Sequence, residues 1–255
     1  MKFDRGMRRG MIFVLASSLS SYAFAAHGGD KKDKPKTGGP QTVDSGSFSI
    51  LVKDQRVLTE TFHIDQQNGV SLIKSQIKEA PGQEPVSQKS TLEITPTGEL
   101  LRYEWSQSSG GSLTVLPNND FLLEKISATA NGKFAEQSFL MPTTTVILDN
   151  NFFVQREVLA WRYLASDCKT AGGNLQCQQG PAEFGALVPQ DRTSIRVRIE
   201  LTGKEKTKIR GAERELLRVN LSGENFNWTM WLDDQDQFKL MKVEIPADNT
   251  EVVRD

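Results

Sequence analysis

Few residues in this chain are of types that do chemistry, and their spacing decides what each could do. There are only two histidines and two cysteines in 255 residues. His63 stands between Phe62 and Ile64 in an alternating run, so on a strand it shares a face with Thr59 and Thr61. A histidine acts as a general base only with a nucleophile in reach and a third group to orient it. This spacing supplies neither, and His63 reads as a strand-surface residue. Asp233, Asp234 and Asp236 could be half of a calcium loop, but the glycine and distal glutamate of such a loop are missing; a solvated hairpin tip is the stronger reading. Lys204, Lys206, Lys208 and Arg210 form a basic run interrupted by Glu205, as in a charged turn or an edge strand that discourages edge-to-edge pairing. No GxSxG, HExxH, P-loop or GxGxxG motif occurs. The expectation is a non-enzyme with no catalytic residue, no metal and no cofactor.

Cys168 and Cys177 enclose a short loop. They lack the CxxC spacing of a redox pair, and two thiolates cannot complete a four-ligand zinc site. A structural disulfide is predicted, contributing about 2–3 kcal/mol by closing that loop. The remaining chemistry is aromatic. Trp231 points away from the face that carries Phe226, Trp228 and Met230, and Trp105 lies with Tyr103 on another alternating stretch. Large residues on both faces of a curved sheet could leave an apolar groove, with Trp105, Trp161 and Trp231 as ligand-binding walls. The plainer reading is that these tryptophans pack beneath loops or a helix.

The elements that must position these residues are mostly strands. From Ser47 onward apolar residues recur with period two, as in Phe48, Ile50 and Val52, the mark of strands with one buried face. Similar stretches follow through Lys133–Met141 and again from Glu183 to Ile245, separated by turn signals such as Asn68-Gly69, Pro96-Thr97-Gly98 and Asn131-Gly132. One segment differs. Phe152–Ala165 lacks Gly and Pro, follows the candidate N-caps Asp149, Asn150 and Asn151, and places Val154, Val158, Trp161 and Ala165 on one helical stripe. The predicted fold is mainly β: a single strongly curved antiparallel sheet, a half-barrel-like meander, with one covering α-helix whose inner face carries Val154, Val158 and Trp161.

The N-terminus reads as an address. Lys2, Arg5, Arg8 and Arg9 precede a short apolar run, Met11–Leu15, and Ala23-Phe24-Ala25 fits a signal peptidase site. Residues 1–25 are therefore predicted to be a signal peptide, with general secretion favoured over twin-arginine export. No cysteine follows the cut, so the usual lipobox is absent. The cut removes four Lys/Arg and one Asp and changes the net charge from -1 to -4. Residues 26–45 hold four lysines, two prolines and four glycines, and read as a flexible leader. A single β-rich domain is expected over 46–247, with 248–255 as a charged tail. The acidic balance excludes a cationic nucleic-acid binder as the default, and no apolar run nears the roughly 20 residues of a membrane span.

Two end segments carry a resemblance. The opening "GSFSILVKDQRVLTETF", with Val57, Glu60 and Phe62, and the closing pair with Trp231, Leu232, Asp233, Leu240, Lys242, Val243 and Pro246 resemble a group of uncharacterised bacterial secreted or periplasmic proteins. The expected sheet-and-helix architecture is also similar to the LolA/LolB-like half-barrel of lipoprotein carriers. That resemblance implies, by fold alone, binding of an acyl chain or other apolar ligand, and no carrier residue transfers to a position here. The expectation is an exported, periplasmic or extracellular envelope protein that binds a lipid or apolar small molecule. The alternatives are an interaction module with an envelope protein as partner and, third, an envelope hydrolase.

Overall fold

The computed structural model describes residues 39–79, 87–129, 132–171 and 174–255. Its first half consists of β1 (Gln41–Val52), β2 (Gln55–Gln67), β3 (Val70–Glu79), β4 (Gln88–Ile94), β5 (Leu100–Gln107), β6 (Ser112–Asn118), β7 (Phe121–Ser127) and β8 (Ala135–Phe139). A short β9 (Val146–Ile147) leads into the helix α1 (Val154–Asp167) and a two-stranded ribbon, β10 (Cys168–Ala171) and β11 (Asn174–Cys177). The second half is β12 (Ala182–Val188), β13 (Thr193–Ile209), β14 (Ala212–Ser222), β15 (Asn227–Asp233), β16 (Lys239–Ile245) and β17 (Thr250–Arg254). The fold is mainly β, as expected. Among the described residues no helix is long and apolar enough to cross a membrane.

Fifteen strands form one sheet in the order β8-β7-β6-β5-β4-β3-β2-β1-β17-β16-β15-β14-β13-β12-β9. The chain thus begins at the centre, meanders outward to β8, reappears at the opposite edge as β9 and meanders back until β17 pairs with β1. Every pairing is antiparallel except β12 with β9. The sheet does not close, and β8 and β9 remain its edges. Local chemistry sets the hairpins. Asn68-Gly69 turns with φ of 51° and 77°, the left-handed pair a tight two-residue hairpin requires. Lys53-Asp54 and Arg210-Gly211 adopt the same geometry.

Two boundaries differ from expectation. Gln41–Ser45 is not leader but the start of β1, and Asp44 there is buried. Thr250–Arg254 is not a tail but the central strand β17, in register from Phe48↔Arg254 to Val52↔Thr250. The reason is the same for both: the charges that look solvated, Asp44 and Arg254, neutralise each other inside. The basic run is a locally unpaired edge and its turn, as expected: β12 reaches only Ile199, so Lys204, Lys206 and Lys208 have one neighbouring strand, and Arg210 stands in the turn with Gly211. The lysines lie within β13, which passes a bulge at Gly203 and pairs with β14. There Lys206 meets Glu213 at 3.4 Å, a cross-strand pairing of opposite charges.

The alternating apolar residues fill the inner face. Phe48 and Phe62 stack at 5.0 Å, and Ile64, Ile73, Tyr103, Val197, Val219, Met230 and Val252 are each 2% exposed or less. Burying a side chain of this size contributes about 1.5–3 kcal/mol. The helix packs on this face and shares its core cluster. A small separate cluster, Ile209, Leu216, Trp231 and Val253, forms apart from it.

Candidate functional site

The start of α1 is fixed by buried polar groups. Asp149, Asn150 and Asn151 do not cap the helix; Phe153 occupies the cap position without a side-chain bond. The cap comes from β2 instead. Glu60 Oε2 accepts from Phe153 N at 2.6 Å and Oε1 from Val154 N at 3.4 Å, while Ser75 Oγ donates to Oε1 at 2.6 Å. A carboxylate here satisfies orphan amides and meets the positive end of the helix dipole. Burial nevertheless pushes the Glu60 carboxyl up to about 7, against the pull of Ser75 and the two amides. Asp149 serves a different purpose: it accepts from Tyr103 Oη at 2.6 Å and from Gln190 N at 3.0 Å. Arg156, fully inside, donates to the carbonyls of Asp149 and Phe152 and stacks over Phe153 and Trp228.

One turn on, Glu157 Oε2 accepts from Leu240 N at 3.1 Å and from Arg254 Nη1 at 3.0 Å. Arg254 Nη2 also donates to both oxygens of Asp44, at 2.7 and 2.6 Å. Burial, and a hydrogen bond with Asp44, hold the Glu157 carboxyl well above the usual range. Asp44 is pulled below it: burial works against this, but the bonds from Glu157 and Arg254 prevail.

The second half of α1 stands over a cavity of about 560 Å³, within the roughly 300–1,000 Å³ of small-molecule sites. The helix contributes Val158, Leu159, Trp161, Arg162, Ala165 and Ser166 to its wall. Opposite lie Leu92 and Ile94 of β4, Leu100 of β5, Val146 and Ile147 of β9, and Phe184 of β12. The turn Thr95–Gly98 closes one side, with Gln66 and Ser71 beside it. Strands from both halves of the sheet therefore share one apolar wall. Leu100 N tethers them, donating to Thr143 O at 2.7 Å.

The structure separates the three tryptophans. Trp161 lines the cavity and donates Nε1 to Phe238 O at 3.0 Å. Trp105 lies outside its wall, half-buried against the core, with Nε1 donating to Gln88 Oε1 at 3.0 Å. Trp231 is on the opposite face, as alternation required, but it is buried in the small cluster under Lys242 rather than walling a groove. Salt bridges from Lys242 to Glu244 and Glu251, at 2.8 and 2.9 Å, cover that cluster. The helix stripe is also rotated from expectation. Val154 is buried, but Ala165 is exposed, and the innermost positions are Glu157, Leu159, Ala160 and Tyr163. Buried partners for Glu157 allow a charged residue to face inward, which a hydrophobic pattern cannot register. Arg162 and Phe184 were missed as site residues; the signal available for Phe184 was its alternation with Ala186.

The remaining candidates lack catalytic geometry. His63 Nε2 lies 2.9 Å from Asp65 and 3.3 Å from Thr42 Oγ1. One ring nitrogen makes both contacts, and Thr42 donates to Asp65 at 3.0 Å, whereas a relay needs acid and nucleophile on opposite nitrogens. Asp233 is not at a solvated tip; it is 3% exposed and salt-bridged to Arg214, while Asp234 pairs with Lys204 at 2.6 Å. No group of three or more potential metal ligands occurs among the described residues. Cys168 and Cys177 form the expected disulfide across the β10–β11 ribbon, directly after the helix. No family model, curated protein or solved structure matches the chain.

Proposed function

We propose that this chain is an exported, non-enzymatic protein of the bacterial cell envelope that binds the apolar part of a lipid or another apolar small molecule between α1 and the sheet. The observation that carries this reading is the cavity, to whose lining of twenty residues Leu, Ile, Val, Trp and Phe contribute nine. Polar side chains share the lining, among them Arg162, Thr95, Thr97 and Ser166, and could orient one end of an apolar body. The disulfide and the N-terminal charge and apolar pattern support export; residues 1–25 lie outside the described residues. A second reading, an envelope interaction module, draws on the edge strand β8, next to which Phe134 and Leu140 are 60% and 78% exposed.

A neutral naphthylamine dye tests the first reading. Wild-type protein should take it up with a saturable, one-to-one isotherm. Val158→Trp, which fills the cavity without adding charge, should weaken uptake about tenfold or more. A linear, unsaturable signal, or equal uptake by the variant, would leave the interaction module as the better account.

A further inference from the structure

The cavity wall has one charged residue, Arg162, and no acid. Its guanidinium is held rather than free. Nη1 donates to Thr144 O at 2.7 Å and to Gly98 O at 3.2 Å, and the plane lies 5.2 Å over the Phe184 ring. The turn is shaped for it: Gly98 has φ +80°, and a Cβ there would stand 2.9 Å from Arg162 Cδ. The turn is itself braced by the Thr95–Thr97 hydroxyl contact at 2.8 Å and by Glu99 N on Thr95 Oγ1 at 3.0 Å. Backbone carbonyls neutralise no charge. Among the described residues no carboxylate lies within salt-bridge distance of Arg162, and its Nε and Nη2 meet no acceptor. Glu99 acts on it only at longer range, and burial draws its pKa down.

A half-buried guanidinium with Nε and Nη2 uncommitted, in the wall of a cavity that no acid lines, is complementary to an anion attached to a hydrocarbon. Resting on the apolar-ligand reading above, we infer that the occupant is a single-chain amphiphile with a carboxylate head, its chain against Ile94, Val158 and Phe184 and its head on Arg162. The hydroxyls of Thr95, Thr97 and Ser166, which share the lining, are donors suited to the same head.

The test is dye displacement by an alkyl carboxylate, alcohol and amine of equal chain length, at a pH where the carboxylate is ionised. The carboxylate should bind roughly tenfold tighter than the alcohol, the size of one charge-assisted hydrogen bond, and the amine weakest. Arg162→Gln should bring the carboxylate to the level of the alcohol and leave the alcohol unchanged. Arg162→Lys keeps the cation and should retain part of the preference. If carboxylate and alcohol bind wild type equally, the head-group assignment is overturned while the apolar site stands. If none of the three displaces dye and the dye does not saturate, both fail. The wild-type comparison decides even if Arg162→Gln does not fold.

Discussion

The two halves of α1 meet the sheet in opposite ways. The first two turns are surrounded by charge: Glu60 holds the amides, Arg156 and Asp149 lie beneath, and Glu157 reaches Arg254 and Asp44. From its second turn onward the helix carries Val158, Trp161 and Ala165 over the cavity, which Gln155 of the first turn also touches. Helices are usually seated by apolar packing and left polar outside; here the seating end is the polar one. Buried charges that are hydrogen-bonded to specific partners favour one arrangement over others, so the helix is anchored at its start without filling the space beneath its end. A sheet can thus keep a preformed cavity under a helix that is held mainly by the polar contacts of its first turns.

Breaking the polar end should have the largest effect. Arg254→Met leaves Glu157 without a cation and Asp44 with only Lys239, 3.7 Å away, and urea denaturation should show a loss of about 3–5 kcal/mol. A loss under about 1 kcal/mol would remove the anchoring role of Arg254. Glu60 sharpens the same point through pH. Its folded-state value of about 7 exceeds its ordinary 4.5, so the folded chain binds the extra proton across that interval. Stability from this group is fully present below about pH 4.5 and is lost as pH rises to about 7, on the order of 3 kcal/mol. Subtracting the pH–stability curve of Glu60→Gln from that of wild type should isolate this slope. Glu124, also raised to about 7 by burial beside Arg192, is common to both curves. A flat difference would show that Glu60 is ionised throughout.

At the other end the expected effects on stability shrink. Reducing the Cys168–Cys177 bridge should cost about 2–3 kcal/mol and lower the melting temperature, because it ties the ribbon that leaves the helix; an unchanged melting temperature would remove that role. Trp231→Phe should cost about 1 kcal/mol and leave dye uptake untouched, since its cluster is on the opposite face. Loss of uptake in that variant would contradict the assignment of the cavity.

Much of this fold is legible in the sequence. Alternation marks the strands from Phe48 onward, Asn68-Gly69 fixes a hairpin, and the cysteine spacing foretells the bridge. What escapes is whatever two distant segments settle between them. Thr250–Arg254 reads as a charged end because Asp44 and Glu157, 210 and 97 residues away, are invisible in a local pattern. The expected N-caps fail for the same reason, since Glu60 caps the helix from 93 residues away. Of the three tryptophans, Trp161 alone lines the cavity; alternation assigns a face, but not whether that face is covered. The cavity itself is a difference in how far two packed elements stand apart, and no residue type encodes that distance.

The most direct test of the central claim is native mass spectrometry of the protein recovered from its own host's envelope fraction, with organic extraction, for wild type and Val158→Trp in parallel. The account predicts an apolar adduct on wild type that is absent from the variant. A clean apoprotein mass for both, or the same adduct on both, would contradict it.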